Sequence, residues 1–534
     1  MTRRKWALWL LAGIFLLTAA GCGPKEPETP AVEADKTADV VVIGGGGAGL
    51  AAAVSAAENG ASVILLEKAA VLGGNTLVSG GVMNAVDPER QKNVPMNDAL
   101  LNELKELAQR DESEFGDFAP AFVTLKQQIN EYLESGDTSV LFDSIELHMV
   151  HTYLGGTRTD LQGNTISPEY ELIEILCNNA LGAIEWLEGY GQEFSDTIGT
   201  VLGALWPRTH STGGGRAYIE TLSAAAEDLG VEILLETAGK ELITEDGRVV
   251  GVKATAADGS ELIIRANSGV VLATGGYGEN PEMRAEYNTY WPEMPLTMPS
   301  TNVSTVTGDG IIMAQQVGAD LVGMGFIQLM PSSDPETGVL FNGLWGSAET
   351  QVFVNKQGKR FVNEYAERDV LAKAALEQED GLFFIICDAQ IAGDRNLDAL
   401  IEAEDVIKAD TLEELAEKLG IPADDFVAEI EKYNSYVDAQ HDPDFGKPNF
   451  GNYKVEVGPF YATPRSPSVH HTMGGVKIDT LARVISTEGQ PIPGLYAAGE
   501  VCGGIHAGNR LGGNAITDIL VFGRIAGESA ATKK

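Results

Sequence analysis

Apolar and polar positions follow two regimes along this chain. Residues 39–43, Asp39-Val40-Val41-Val42-Ile43, form an apolar strand that runs into Gly44-Gly45-Gly46-Gly47-Ala48-Gly49. An Ala-rich amphipathic stretch follows, with helical character, and then a second strand, Ser62-Val63-Ile64-Leu65-Leu66, closed by Glu67. Two more apolar strands end on glycines: Val270 to Ala273 closes on Thr274-Gly275-Gly276, and Leu495 to Ala498 runs into Gly499-Glu500. Between them the pattern changes. Residues 88 to about 163 are polar, charged and mostly helical in period, and the run Arg110-Asp111-Glu112-Ser113-Glu114 reads as a solvated helix end. Helical signals resume over residues 167–189. Residues 231–265 hold short apolar strands punctuated by Asp246-Gly247 and Asp258-Gly259, both hairpin turns.

The first strand, glycine turn, helix and second strand ending in an acid compose a dinucleotide-binding fingerprint in its expected context. Each position has a physical task. Gly44 permits the tight turn, Gly46 lets a pyrophosphate approach the backbone, and Gly49 lets the helix pack closely on the strand. Glu67 then accepts hydrogen bonds from ribose hydroxyls. Such an arrangement predicts an α/β fold.

Charge and cysteine content narrow the possibilities. The 534 residues hold 37 Lys plus Arg against 77 Asp plus Glu, a formal charge of −40. That balance argues against nucleic acid and gives no attraction to anionic lipid. The cysteines are Cys22, Cys177, Cys387 and Cys502, and none forms Cys-x-x-Cys or Cys-x-x-Cys-His. No iron-sulfur cluster, haem or metal site is therefore expected, so electrons must come from elsewhere. At the start, Arg3, Arg4 and Lys5 precede an apolar run from Trp6 to Leu17, the charge order of a secretory signal. Thr18-Ala19-Ala20-Gly21-Cys22 resembles a bacterial lipoprotein cleavage site, with Cys22 as the lipid-bearing residue, and residues 23–37 read as a flexible tether. The expected location is the extracytoplasmic face of a bacterial membrane, held by lipid alone. Thr2 to Trp6 also looks like a twin-arginine export signal.

Chemistry concentrates in the second half. Gly358-Lys359-Arg360-Phe361-Val362-Asn363-Glu364 precedes Arg368-Asp369. His470-His471-Thr472-Met473-Gly474-Gly475 follows, and then His506-Ala507-Gly508-Asn509-Arg510-Leu511-Gly512-Gly513-Asn514-Ala515. With the glycine-rich segments, these blocks resemble the flavoprotein family of fumarate reductase and succinate dehydrogenase, in its soluble flavocytochrome c and urocanate reductase branch. The resemblance implies one non-covalent FAD per chain, and no second, FMN-binding module is recognised. Its contacts fall on Gly44, Gly46, Gly49, Glu67, Gly74, Asn75, Thr76, Gly81, Thr274, Gly275, Gly276, Glu500, Asn514 and Ala515, with Glu500 on the ribityl chain. It also implies a Rossmann-like FAD-binding domain, residues 38–325 and 472–534, with a helical insertion at about 88–163. An α+β clamp or capping domain, residues 326–471, is inserted between its two parts.

The implied reaction is hydride transfer from flavin N5 to one carbon of an activated C=C bond, with proton delivery to its neighbour. Arg368 matches the family's proton donor, while His471 and Arg510 match the pair that binds a substrate carboxylate. A His and a bidentate Arg suit a carboxylate onto which negative charge moves. The plain structural alternative is that Arg368 pairs with Asp369 or Glu364 and His471 caps a loop. The chain departs from fumarate reductases at the other end of the substrate: Met330 stands at a His position, and a Thr, a Glu and an Arg fall on Gly343, Leu344 and Ser347. Glu349 is the nearest acid to replace a proton relay. A second carboxylate would be desolvated there without a partner, whereas an apolar group would be accepted. The expected activity is reduction of an unsaturated monocarboxylate, aryl-acrylate or urocanate-like, as a respiratory electron acceptor, with electrons from a separate cytochrome or flavoprotein. The alternatives are a fumarate reductase with a rearranged dicarboxylate site and a flavin- or substrate-binding lipoprotein without turnover.

Overall fold

The computed structural model describes residues 34–532. Cys22 and the expected signal and tether segments, through Glu33, lie outside the described residues. Strand Lys36–Ile43 sits near the middle of an eight-stranded sheet, parallel to Val63–Leu66 on one side and to Glu261–Leu272 on the other. Pro491–Ala497 adds in parallel beyond Glu261–Leu272, and Glu232–Leu234 beyond Val63–Leu66. The expected hairpins form an antiparallel meander, Ala238–Glu245 and Arg248–Thr255, attached to Glu261–Leu272. Three strands thus reach one carboxyl edge, at Gly44, Ala273 and Ala498, the edge where open parallel sheets bind ligands.

The Ala-rich helix Gly47–Glu58 departs from its amphipathic reading. Every residue from Gly47 to Ala56 is buried, because the sheet covers one side and the C-terminal helix Asn514–Ala531 the other. Small residues make that possible: a side chain on Gly527 would come within 2.2 Å of Ala52 O, and one on Gly523 within 2.8 Å of Ala48 O. The charged run at residues 110–114 is a helix end followed by a cap. Asp98–Gln109 stops at Arg110, and Asp111 and Glu114 form a capping box on the 3₁₀ turn Glu112–Phe118. Helices Asp98–Gln109, Ala119–Glu134 and Ile145–Gly156 place Leu104, Phe122 and Leu147 in the same continuous core as the sheet.

A second, antiparallel sheet of five strands forms a capping lobe. The 13-residue strand Phe460–Thr472 pairs with Ile327–Ser333, Phe383–Asp388 and Ile407–Ala409, and Phe353–Asn355 completes it. Its two faces carry separate apolar clusters, one around Phe426 and Tyr433 and one around Phe353, Phe383 and Leu371. Helix Arg368–Leu376 lies against Ile327–Ser333, which brings Arg368 to the junction of the two sheets.

Candidate active site

At the carboxyl edge of the main sheet a cleft of about 110 Å³ is lined by Gly44, Gly46, Glu67, Gly74, Asn75, Thr76, Thr274, Gly275 and Glu500. Gly44 has φ +107°, and a Cβ there would lie 2.3 Å from Ala273 O. A Cβ on Gly49 would lie 1.8 Å from Gly44 O, so only glycine permits this helix-to-strand approach. At Gly46 the nearest atom is Gly73 O at 3.8 Å, and a side chain would project into open cleft. Glu67 accepts Gly45 N–H at 2.8 Å and Ala69 N–H at 2.7 Å, which leaves lone pairs for a ligand hydroxyl. Thr274 Oγ1 is buried there without a protein partner. A helix N-terminus whose N-cap, Gly46, has no side chain to cap it, a glycine-only backbone approach, a cleft-facing acid and an orphaned hydroxyl together fit the pyrophosphate and ribose of a dinucleotide.

The cleft continues, through shared residues Asn75, Thr76 and Glu500, into a larger cavity of about 490 Å³. Arg368, His470, His471, Arg510 and Met330 line it together. Two arginines face it with no carboxylate within ion-pair distance among the described residues. Arg368 donates from Nε to Leu202 O at 3.0 Å and from Nη1 to Gln328 Oε1 at 3.2 Å. Arg510 donates from Nη2 to the same Gln328 oxygen at 3.2 Å. The Gln328 amide is itself fixed by donating to Asn509 Oδ1 and Arg510 O. One buried amide oxygen therefore holds two cations side by side.

The structure excludes the plain pairing of Arg368. Asp369, its neighbour at the helix start, is taken by Arg158 at 2.7 Å and Tyr290 at 2.6 Å. Glu364 is bidentate to Arg360, in a closed buried cluster with Asp442 and Lys447. Burial first, and then the Arg510 charge, push the Arg368 guanidinium well below its ordinary value. Its place in the first turn of a helix, at the positive end of the dipole, works in the same direction. Burial likewise lowers Arg510 to about 10.

Two adjacent histidines on one strand reach the same cavity because the pairing slips. Gln328 opposes His471 while the next residue, Leu329, opposes Val469, leaving His470 as an extra, bulged residue. In a regular strand consecutive side chains point to opposite faces, and a bulge re-aims one of them. His470 Nε2 lies 3.3 Å from Arg510 Nη2 and its Nδ1 lies 2.7 Å from Thr301 Oγ1. Arginine can only donate, so Nε2 accepts and Nδ1–H donates to Thr301. That neutral tautomer agrees with burial and the two arginines holding His470 well below 6.5. His471 is lowered too, first by burial and then by Arg510, and its Nε2 is buried with no partner.

Sequence reasoning assigned the carboxylate contact to His471 and gave His470 no role. The alternation rule gave no signal for it, because the bulge is set by the register with a strand more than a hundred residues away. The hairpin that presents Leu202 O, between Gly199–Val201 and Ala204–Ser211, was also unread. Among the expected cofactor residues, Gly81 and Ala515 line the larger cavity, whereas Gly49, Gly276 and Asn514 line neither. Gly276 instead makes room for Thr472 and Glu500, which would meet its Cβ at 1.9 and 2.7 Å. The Asn514 side chain is consumed by Asn84, His148 and Thr152. Glu349, the expected relay acid, is not among the lining residues, and its Cγ lies against Gly451.

A dinucleotide cleft on a Rossmann-like sheet, opening into a cation-lined cavity under a capping lobe, defines an FAD-binding flavoprotein. The chain belongs to the family described as FAD binding domain, whose model matches residues 39–516, and it is of the fumarate reductase and succinate dehydrogenase type. It is 49% identical over 473 residues to the NADH:acrylate oxidoreductase of Vibrio harveyi, covering 86% of this chain and 47% of that protein. With the urocanate reductase of Eggerthella lenta it shares 38% identity over 384 residues, 68% of this chain and 61% of that one. The chain thus spans about half to two thirds of the length of these curated relatives. Among solved structures it is similar to the open conformation of a flavocytochrome c3 fumarate reductase, with a TM-score of 0.69 and 33% identity over 93% of this chain and 78% of that chain.

Proposed function

We propose that this chain is an FAD-dependent reductase of an α,β-unsaturated carboxylate that carries one carboxylate and an apolar remainder. The observation that carries the reading is the pair of buried guanidinium groups, Arg368 and Arg510, that face one cavity with no carboxylate within ion-pair distance among the described residues. Two such cations, each about nine-tenths buried or more, call for an anion. When bound, FAD supplies the hydride for the double bond. Arg510, oriented by the His470 Nε2 that accepts from it, and the unpartnered His471 Nε2 grip the substrate carboxylate and gain in strength as negative charge builds on it. Arg368, weakened as a base by burial and by its neighbour, delivers the proton to the adjacent carbon. The names of the relatives from Vibrio harveyi and Eggerthella lenta, acrylate and urocanate, fit the same class.

Oxidation of a reduced viologen by the purified holoprotein, screened against acrylate, 3-phenylacrylate, urocanate and fumarate, tests this. Turnover is expected on monocarboxylic enoates and little on fumarate. Faster reduction of fumarate than of any monocarboxylate would replace the reading with a dicarboxylate site, and no turnover on any enoate would leave a binding protein.

For location, the reading is a lipid-anchored, extracytoplasmic enzyme that takes electrons from a separate donor protein. It is supported by the basic, apolar and Cys22-terminated start of the sequence. No helix among the described residues is long and apolar enough to cross a membrane. Cys22→Ser is expected to move the protein from the membrane fraction to the soluble one, or to leave its precursor uncleaved. Unchanged processing and fractionation on an immunoblot would remove the anchor.

A further inference from the structure

Residues 334–347 follow strand Ile327–Ser333 with neither helix nor strand, yet they are held in one place. Arg465, buried on the long strand, donates from Nη1 to Asn342 Oδ1 at 3.1 Å and from Nη2 to Asn342 O at 2.9 Å. Asn342 donates in turn to Asp334 at 3.1 Å and Asp405 at 2.8 Å, so two acids balance the arginine through one amide. The Arg465 guanidinium lies 5.0 Å from the centroid of the Trp345 ring, a cation-π platform. Gly343, between them, tolerates no side chain: a Cβ there would stand 2.3 Å from Arg465 Nη2 and 2.6 Å from Trp345. The positions where a dicarboxylate enzyme would carry Thr and Glu, Gly343 and Leu344, are thus absorbed in packing, and neither lines the cavity.

Trp345 lines the cavity instead, together with Met330, Leu340 and Phe341. Phe341 is 60% exposed, and its Cζ would lie 3.5 Å from a Cβ on Gly80, which lines the same cavity from the FAD-binding side. An aromatic ring left in water at the mouth of a cavity gains when a second apolar plane covers it. We propose that Trp345 and Phe341 form an aromatic slot that selects enoates bearing a planar, apolar ring, and that Arg465 is the positioning residue that holds Trp345 in it. The proposal rests on the reading of the cavity as an enoate site. A ring in the slot meets the Trp345 and Phe341 side chains and the Met330 thioether, while a second carboxylate meets only the uncharged Ser332, Ser347 and Gln351 that line the cavity with them, since both Arg465 Nη groups are spent on Asn342.

The test uses FAD-loaded protein and two probes, acrylate and 3-phenylacrylate. Dissociation constants are read from the perturbation of the flavin spectrum, and KM from reduced-viologen oxidation. Trp345→Ala is expected to weaken 3-phenylacrylate at least about tenfold in both, while acrylate shifts by less than about twofold. Arg465→Met should reproduce that selective loss at wild-type FAD content. Phe341→Ala, an exposed change with no core to disturb, should show the same direction and keeps the test decisive if the Trp345 variant does not fold. Equal weakening of both probes, or none, in Phe341→Ala and whichever of the other variants folds would overturn the slot while leaving the enoate reading intact. Selective binding of 3-phenylacrylate without any turnover would retain the slot and remove the reading.

Discussion

Arg368→Ala is expected to lower enoate-dependent turnover by a factor on the order of a thousand or more, within the range that a positioned general acid supplies. FAD content and the affinity for substrate should hardly change. The reason is where Arg368 sits. Its Nε and Nη1 donate to Leu202 O and Gln328 Oε1, it lines only the larger cavity, and Gln328 retains Arg510 as a donor after the deletion. What disappears is the proton source beside the reacting carbon. Rapid mixing separates the half-reactions: a reduced viologen should still reduce the variant's flavin at the wild-type rate, while reoxidation by the enoate should be lost. Arg368→Lys should not rescue it, because an ammonium cannot span a carbonyl and an amide oxygen as the planar fork does. Turnover above about a tenth of wild type would show that the proton comes from another group.

The fold was legible where the determinants are local. A strand, a turn built on Gly44, Gly46 and Gly49, and a following helix lie within some twenty residues, and each glycine's task appears in the structure as a clash or an opening. Arg368 and Arg510 could be placed because they stand in runs of recognisable neighbours, and both reach the cavity. Features that depend on distant pairing were not readable. His470 enters the site only because the strand Phe460–Thr472 slips by one residue against Ile327–Ser333. Counting along the chain places a family threonine at Gly343, and no sequence signal shows that Arg465, more than a hundred residues later, fills the space a side chain there would need. Composition around the Ala-rich helix suggested one wet face, and the C-terminal helix that covers it lies at the other end of the chain.

That long strand also explains why the site is precise. Along its 13 residues it carries Arg465 beneath Trp345, His470 and His471 in the cavity beside Arg510, and Thr472, whose N–H and hydroxyl hold Glu500 at 2.9 and 3.1 Å. In the proposed reading, the residues for specificity, binding and cofactor support therefore share one strand, with their spacing set by its rise and by the bulge at His470.

Arg510→Ala should damage binding and turnover together, by at least about a hundredfold in kcat/KM, or about 3 kcal/mol. In the present reading its charge meets the carboxylate in the ground state and holds it more tightly as the enolate-like state develops, so KM rises and kcat falls. This differs from Arg368→Ala, where kcat alone falls. The structure adds a second consequence. Without Arg510 the His470 Nε2 loses the donor that fixes its tautomer, and one of the two cations that hold its pKa down is gone. The His470 imidazole should therefore titrate higher in the variant, as should His471, which Arg510 also holds down, while burial still keeps both below 6.5; partial recovery of substrate binding is expected toward the acid end of the range, since an imidazolium then replaces the lost charge. Wild type, with His470 neutral well below 6.5, should show no such step. Substrate dissociation constants measured from pH 5 to 8 on wild type, Arg510→Ala and Arg510→Ala with His470→Phe decide it, and a flat profile in Arg510→Ala, or an acid-side recovery that survives His470→Phe, would show that His470 does not supply the replacing charge.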